Sequence, residues 1–245
     1  MARSAAALVI GNEILTGKVH EANVAALAAE LFAMGIALRR VVVCPDDPAQ
    51  IADDVNALRA RFDVVITSGG VGPTHDDVTV PAVARAFGRR VVRDEALVER
   101  LRAHFGDRTS EGHLRMAELP EGAELVAGPA SGWPLVRIEN VWLLPGVPEI
   151  FRARLPLLRA QLGDDAPFHS HAVYTRADEG EIAALLEGLE AAHPGVSVGS
   201  YPRLNDPECT VKITFDGREL GPVQRARDAF VQALPPNLFV RKEPA

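Results

Sequence analysis

DVVITSGGVGPTHDD, residues 63–77, reads as a buried strand that runs into a glycine-rich loop and then into paired carboxylates. The apolar run before the glycines suits a strand covered on both faces, as in parallel sheets. Gly69, Gly70 and Gly72 permit dihedrals that a Cβ disfavours and let main-chain N–H groups approach a ligand. In open α/β sheets ligands collect at the carboxyl ends of the strands, which is where this loop falls. Successive N–H groups, here from Gly69 through Val71 to Gly72 and on to Thr74, form an anion-binding nest, and the start of the next helix adds its positive dipole end. Thr67, Ser68 and Thr74 add hydroxyls, and His75 either donates to a phosphate or stands free in the loop. Asp76 and Asp77 would repel a phosphate unless a divalent cation lay between them. Mg²⁺ commonly bridges carboxylates and phosphate oxygens and can orient or activate water. The alternative is that Asp76 or Asp77 only caps the helix expected over residues 79–87.

Working outward, strand and helix alternate. Residues 6–10 form a first strand ending at Gly11; residues 22–34 carry Val24, Leu27, Ala28 and Leu31 at helical spacing and stop at Gly35. Residues 36–44 are β-branched and strand-like, Pro48 starts a second helix, and residues 95–105 make an amphipathic one. This order predicts a mostly parallel sheet with helices on both faces, an α/β fold. Residues 136–138 and 141–144 flank Glu139-Asn140 as a hairpin, and a helix starts near Pro148, which Pro156 should end or kink. The turn-rich GDDAP, residues 163–167, marks a boundary between a domain of residues 1–165 and one of residues 168–245. The second reads strand 168–175, helix 178–192, strands 196–201 and 210–215, helix 221–234, a small α+β unit.

Three further segments reach the same sheet edge. In GNEILTGKVHEAN, residues 11–23, Glu13 can be a metal ligand or general base, Thr16 and Gly17 can receive a phosphate, and Asn23 can cap a helix or touch a ligand; an ordinary loop and capped helix is the competing reading. Asp46 and Asp47 either join the site or shape the turn before Pro48. In LPGVPE, residues 144–149, Pro145 and Pro148 stiffen a turn whose Gly146 and Val147 amides face a ligand or merely form a rigid corner. His169 and His171 share a strand face without a third ligand and are expected to be exposed; Arg89, Arg90 and Arg93 are expected in a solvated turn. Ser68 has no nucleophile-elbow pattern, which argues against a serine hydrolase.

Composition narrows the class. A chain of 245 residues with 47% hydrophobic residues can build its core without disulfides, and its two cysteines, Cys44 and Cys209, fall in strand-like runs. A formal net charge of -7 argues against a nucleic-acid partner. No stretch approaches the roughly 18 apolar residues of a membrane span, the short N-terminal apolar run leads into GNEILTG and not into a cleavage site, and the cytoplasm is the expected location.

GNEILTG with its following Asn23, TSGGVGPTHDD and LLPGVPE together resemble the molybdopterin-binding (MoaB/Mog-like) domain family, in the branch of the CinA N-terminal domain and the molybdopterin-binding-like domain of animal FAD synthase. FHSHAVYTRADEGEIAALL and VGSYP resemble the second part of the FAD-synthase-associated form, so the likeness spans nearly the whole chain. The resemblance implies a three-layer αβα fold, self-association as dimers or trimers, and either of two roles. One is a metal-dependent pyrophosphatase, with Mg, Mn or Co, that releases AMP from ADP-ribose or FAD. The other is a molybdopterin-binding module without hydrolase activity. By position it carries catalytic roles onto Asp77, Asp76, Glu13 and Asp47, with Asp76, Asp77 and Glu13 as metal ligands. Asn12 stands where Asp or Thr is commoner, which removes one potential carboxylate. The likeness includes neither an amidase nor an FAD-synthase catalytic domain, so neither activity is expected of these residues.

Overall fold

A computed structural model describes residues 3–127 and 132–244. The chain divides into two compact units, Met1–Asp165 and Ala166–Ala245.

The first unit opens with β1 (Ser4–Ile10), a one-turn α1 (Asn12–Leu15), α2 (Asn23–Ala33), β2 (Ala37–Cys44), α3 (Pro48–Arg59) and β3 (Val64–Ser68). After the glycine loop come α4 (Thr79–Ala86), β4 (Val91–Arg93), α5 (Glu95–Phe105), α6 (Glu111–Arg115), β5 (Glu118–Pro120) and β6 (Glu124–Val126). The hairpin β7 (Leu135–Ile138) and β8 (Val141–Leu144) leads into α7 (Pro148–Leu162). The main sheet has the order β2-β1-β3-β8-β7-β6. Its first four strands run parallel, β7 pairs antiparallel with β8, and β6 pairs antiparallel with β7.

Period-two alternation sorts the core onto two faces. Ala6, Leu8, Ile10, Val65, Val141 and Leu143 pack toward α3, α4 and α5. Ala5, Ala7, Val64, Ile66, Trp142 and Leu144 pack toward Leu27 and Leu31 of α2 and Phe151, Leu155 and Leu158 of α7. Each such Leu or Phe, fully buried, contributes roughly 1.5–3 kcal/mol, so both helical layers are firmly seated. The neighbours of β1 are β2 on one side and β3 on the other, which opens a crevice at the carboxyl ends of β1 and β3.

Several details differ from the sequence reading. Pro156 neither ends nor interrupts α7, which continues to Leu162. Proline removes one helical hydrogen bond and crowds the preceding turn, and the buried Leu155 and Leu158 on either side hold the helix to the sheet against that cost. The pair β4–β5, the strand β6 and the helix α6 were not foreseen, because runs of three to five residues carry no readable period.

The second unit is β9 (His169–Thr175), α8 (Glu179–Ala192), β10 (Val196–Pro202), β11 (Val211–Gly217), α9 (Leu220–Ala233) and β12 (Phe239–Pro244). Its antiparallel sheet has the order β10-β11-β9-β12, a split β-α-β-β-α-β arrangement. Val173, Ile213 and Phe215 pack on Ile182 and Leu189 of α8 and Val223 and Phe230 of α9. The C-terminal strand was missed because FVRKEP is charged and ends in proline. His171 is buried, not exposed: its Nδ1 lies 3.0 Å from Arg227 Nη1, and burial first, then the Arg227 charge, lower its pKa. Cys44 and Cys209 are both buried and unbridged, and burial with Asp54 and Asp46 nearby pushes the Cys44 thiol up to about 12. No helix among the described residues is long and apolar enough to cross a membrane.

Candidate functional site

The glycine loop leaves β3 at the crevice and is fixed by its backbone. Gly69 has φ +107, and a Cβ there would lie 2.3 Å from the Ile10 carbonyl oxygen. Gly70 has φ +64, and a Cβ there would lie 2.3 Å from Thr79 Oγ1. Thr79 closes the loop from the other side: its hydroxyl donates to the Gly69 carbonyl at 2.8 Å and its N–H to the Gly70 carbonyl at 2.9 Å. Nothing in the sequence marked Thr79, which looks like an ordinary first residue of a helix. Val71 packs into the core on the α3–α4 side.

These constraints decide which amides are available. The Gly69 N–H donates to the Leu144 carbonyl, and the Thr74 N–H donates to Asp77 Oδ2 at 2.8 Å. Neither matches the expectation of a phosphate donor. The amides of Gly70, Val71 and Gly72 have no acceptor among the described residues. The nest therefore narrows to three consecutive N–H groups.

Asp76 and Asp77 do not cap α4. Its N-cap is Val78, with no side-chain bond. Asp77 Oδ2 instead accepts from the Thr74 amide and, at 2.5 Å, from the Thr74 hydroxyl. That hydroxyl is also the largest cause holding the exposed Asp76 carboxyl below its ordinary pKa. His75 is exposed, with Nδ1 3.9 Å from Asp76 Oδ1. A Cβ on Gly72 would lie 2.7 Å from Asp77 Oδ2, so the bare glycine leaves room beside this carboxylate.

The other expected residues fall into distinct roles. The Glu13 carboxylate folds over Gly11, where a Cβ would meet Oε1 at 2.5 Å, at the carboxyl end of β1. Asp46 Oδ2 accepts the Asn12 amide at 2.8 Å, tying β2 to α1. Asp47 caps α3, its Oδ1 accepting from the amides of Ala49 and Gln50. The Thr16 hydroxyl donates to the Asn12 carbonyl, and Gly17 has φ +70 in open space. Thr67 is fully enclosed, in register with Leu8 and Leu143, so its hydroxyl faces the α3–α4 core and not a ligand. Its Oγ1 has no hydrogen-bond partner among the described residues. Glu21, not Asn23, caps α2 by accepting from the amides of Asn23 and Val24. The Asn23 side chain is buried and turns to Ser68 and Gly146. At the third turn Pro148 is the first residue of α7. There Pro145 is half-buried and Val147 exposed. A Cβ on Gly146 would be 3.1 Å from the Gly69 Cα, so the two turns touch backbone to backbone. Arg90 pairs with Glu121, and Arg93 with Glu111 and Glu118.

Among the described residues no three His, Cys, Asp or Glu side chains converge as a metal group, so Glu13 does not join Asp76 and Asp77 in a closed triad. Two carboxylates beside free loop amides still fit a hard divalent cation whose remaining ligands are diphosphate oxygens.

Residues 6–162 match the family described as "Probable molybdopterin binding domain", and residues 167–243 match "FAD synthase, middle domain". A CinA-like protein of Syntrophus aciditrophicus is 36% identical over 84% of this chain and 52% of its own length. A protein of Caenorhabditis elegans named "Probable FAD synthase" is 31% identical over 87% of this chain and 46% of its own. The chain thus spans about half the length of each. The crystal structure of the protein CinA, of unknown function, from Thermoplasma acidophilum aligns with 66% of this chain and 99% of its own, at 29% identity and a TM-score of 0.61.

Proposed function

From the premise that this chain belongs to the molybdopterin-binding domain family and carries a FAD synthase middle domain after it, we propose that it is a divalent-metal-dependent hydrolase of a nucleoside-diphosphate-linked small molecule, ADP-ribose or FAD. The observation that carries this reading is the run of unpartnered amides at Gly70, Val71 and Gly72 next to Asp76 and Asp77. Anion donors and paired acids together suit a diphosphate with a cation better than either ligand alone.

Asp76 and Asp77 would hold the metal, and the three amides would hold the diphosphate. A bound Mg²⁺, Mn²⁺ or Co²⁺ supplies positive charge against the diphosphate, which eases attack by water. Thr74 keeps Asp77 oriented through its amide and hydroxyl. Water adds to one phosphorus and the bridging P–O bond breaks, its electron pair staying with the departing phosphate. The products are AMP and a second phosphomonoester. Glu13, whose carboxylate has no hydrogen-bond partner among the described residues, would take the proton. Asp47, already capping α3, acts by placing the β2 end of the crevice. The reaction belongs in the cytoplasm, in a dimer or trimer, with no nucleic acid or membrane involved.

The test is incubation of pure protein with FAD, ADP-ribose or NAD and each metal in turn. AMP is expected, and Asp77→Asn should lower kcat/KM by about 10²–10³-fold, the usual cost of losing a charge-stabilising group. A folded protein that makes no AMP under any condition overturns the hydrolase. The family match over residues 6–162 favours one other reading, a molybdopterin-holding module, and a pterin retained through purification would support it.

A further inference from the structure

We infer that Asn23 is a positioning residue, not a ligand contact: it ties the β3 and β8 turns into one frame and leaves the Ser68 hydroxyl proton free for an incoming ligand. The functional part of this inference rests on the reading above; the tie itself does not.

Asn23 is 5% exposed and Ser68 6%. The Asn23 Nδ2 donates to Ser68 Oγ at 2.9 Å and to the Gly146 carbonyl at 2.7 Å. A carbonyl can only accept, so the amide orientation is fixed with Nδ2 toward Gly146. Strand parity supports the geometry, because Ser68 shares the face of Val64 and Ile66, which is the α2–α7 side. Glu21 fixes the base of the clamp by capping the Asn23 and Val24 amides. One side chain thus joins the segment after β1 to the turns after β3 and β8, where a Cβ on Gly146 would lie 3.1 Å from the Gly69 Cα.

The same bond settles the Ser68 proton. With Oγ accepting from Asn23, the hydroxyl has no acceptor among the described residues. A hydroxyl has one proton to give, and here it is reserved for a group from outside, next to the free amides of Gly70–Gly72. An oxygen of an anionic ligand, such as a diphosphate, meets that requirement. The buried Asn23 Oδ1 has no donor among the described residues. An unsatisfied buried acceptor costs stability, which is consistent with a side chain held for the placement of its Nδ2.

Two measurements test this on the full chain. In ligand-free protein, hydrogen exchange of the segments 68–72 and 145–147 should accelerate together, about tenfold or more, in Asn23→Ala and in the milder Asn23→Ser. If either variant is folded and both segments exchange at the wild-type rate, the tie is wrong. With ADP-ribose or FAD as substrate, Ser68→Ala and Asn23→Ser should each raise KM about tenfold with kcat within a few-fold, since an interaction equal in ground and transition states is lost. The double variant should be no worse than the worse single one. Fully additive costs would mean that Asn23 does not act through Ser68. If wild-type protein makes no AMP, the hydrolase reading fails by itself, and exchange alone decides the tie.

Discussion

At the residue scale the loop depends on single atoms. Gly69 and Gly70 combine positive φ with contacts that no Cβ fits. Gly69→Ala would meet the Ile10 carbonyl oxygen at 2.3 Å, in a backbone conformation that costs an L-residue about 1–2 kcal/mol before any clash. We expect a lower Tm by thermal melting and loss of the activity proposed above, whereas Gly17→Ala, with nothing within 4 Å of its Cβ, should cost far less. The glycines were legible in the sequence, as was the pairing of Asp76 with Asp77. Their partners were not. The Leu144 carbonyl and the Asp77 carboxylate decide which amides remain free, and that follows from bonds between residues with no pattern of their own. Asp47 was expected at the site from the family resemblance and Thr67 from its place before the glycines; one caps a helix and the other faces the core. A second residue-scale expectation concerns Asp63, whose pKa is lowered first by the Ser4 amide and then by its hydroxyl. A depressed carboxylate stabilises the fold above its ordinary value of 3.8 and loses that contribution as pH falls through the lower folded value. The Tm difference between wild type and Asp63→Asn should therefore be present at neutral pH and vanish in acid.

At the scale of elements, the long periodic pieces were readable and the short ones were not. The strands β1, β3 and β8 follow from short apolar runs and the helices α2, α3 and α7 from 3.6-residue spacing. The pair β4–β5 depends on strand pairing across the sequence, and the short α6 is held by the Ser110–His113 capping box. Pro156 tests the balance between local and tertiary forces. It is exposed in the interior of α7, while Phe151, Leu155 and Leu158 are buried. Pro156→Ala would restore one backbone hydrogen bond and relieve ring crowding, offset by greater freedom in the unfolded chain. We expect a gain of about 1–2 kcal/mol, read as a higher midpoint in urea. A neutral or destabilising result would mean that α7 bends at Pro156 to serve a contact beyond its own turn.

At the scale of the whole molecule, the two units have separate sheets and separate cores. GDDAP marked the change of composition, and the units divide after Asp165. Residues 166–245 bury Val173, Ile213, Phe215 and Phe230 among themselves. Expressed alone, this segment should give a cooperative melt by circular dichroism; a featureless melt would show that its fold needs the first unit. What the sequence could not supply at this scale was the return of β12 to the edge of β9, since a charged strand reads as a tail until a partner is known.

The alternation in β3 also governs which kinds of mutation this chain can absorb. Substituting Val for Ile within that strand would be a small perturbation. Inserting a single residue between Val64 and Ser68 would leave composition and charge almost untouched, yet it would exchange the sides of every residue beyond it: Thr67 would turn toward α2, and Ser68 would turn away from Asn23. Drift in this segment should therefore proceed by replacement at fixed length, while the surface loops accommodate gains and losses of residues.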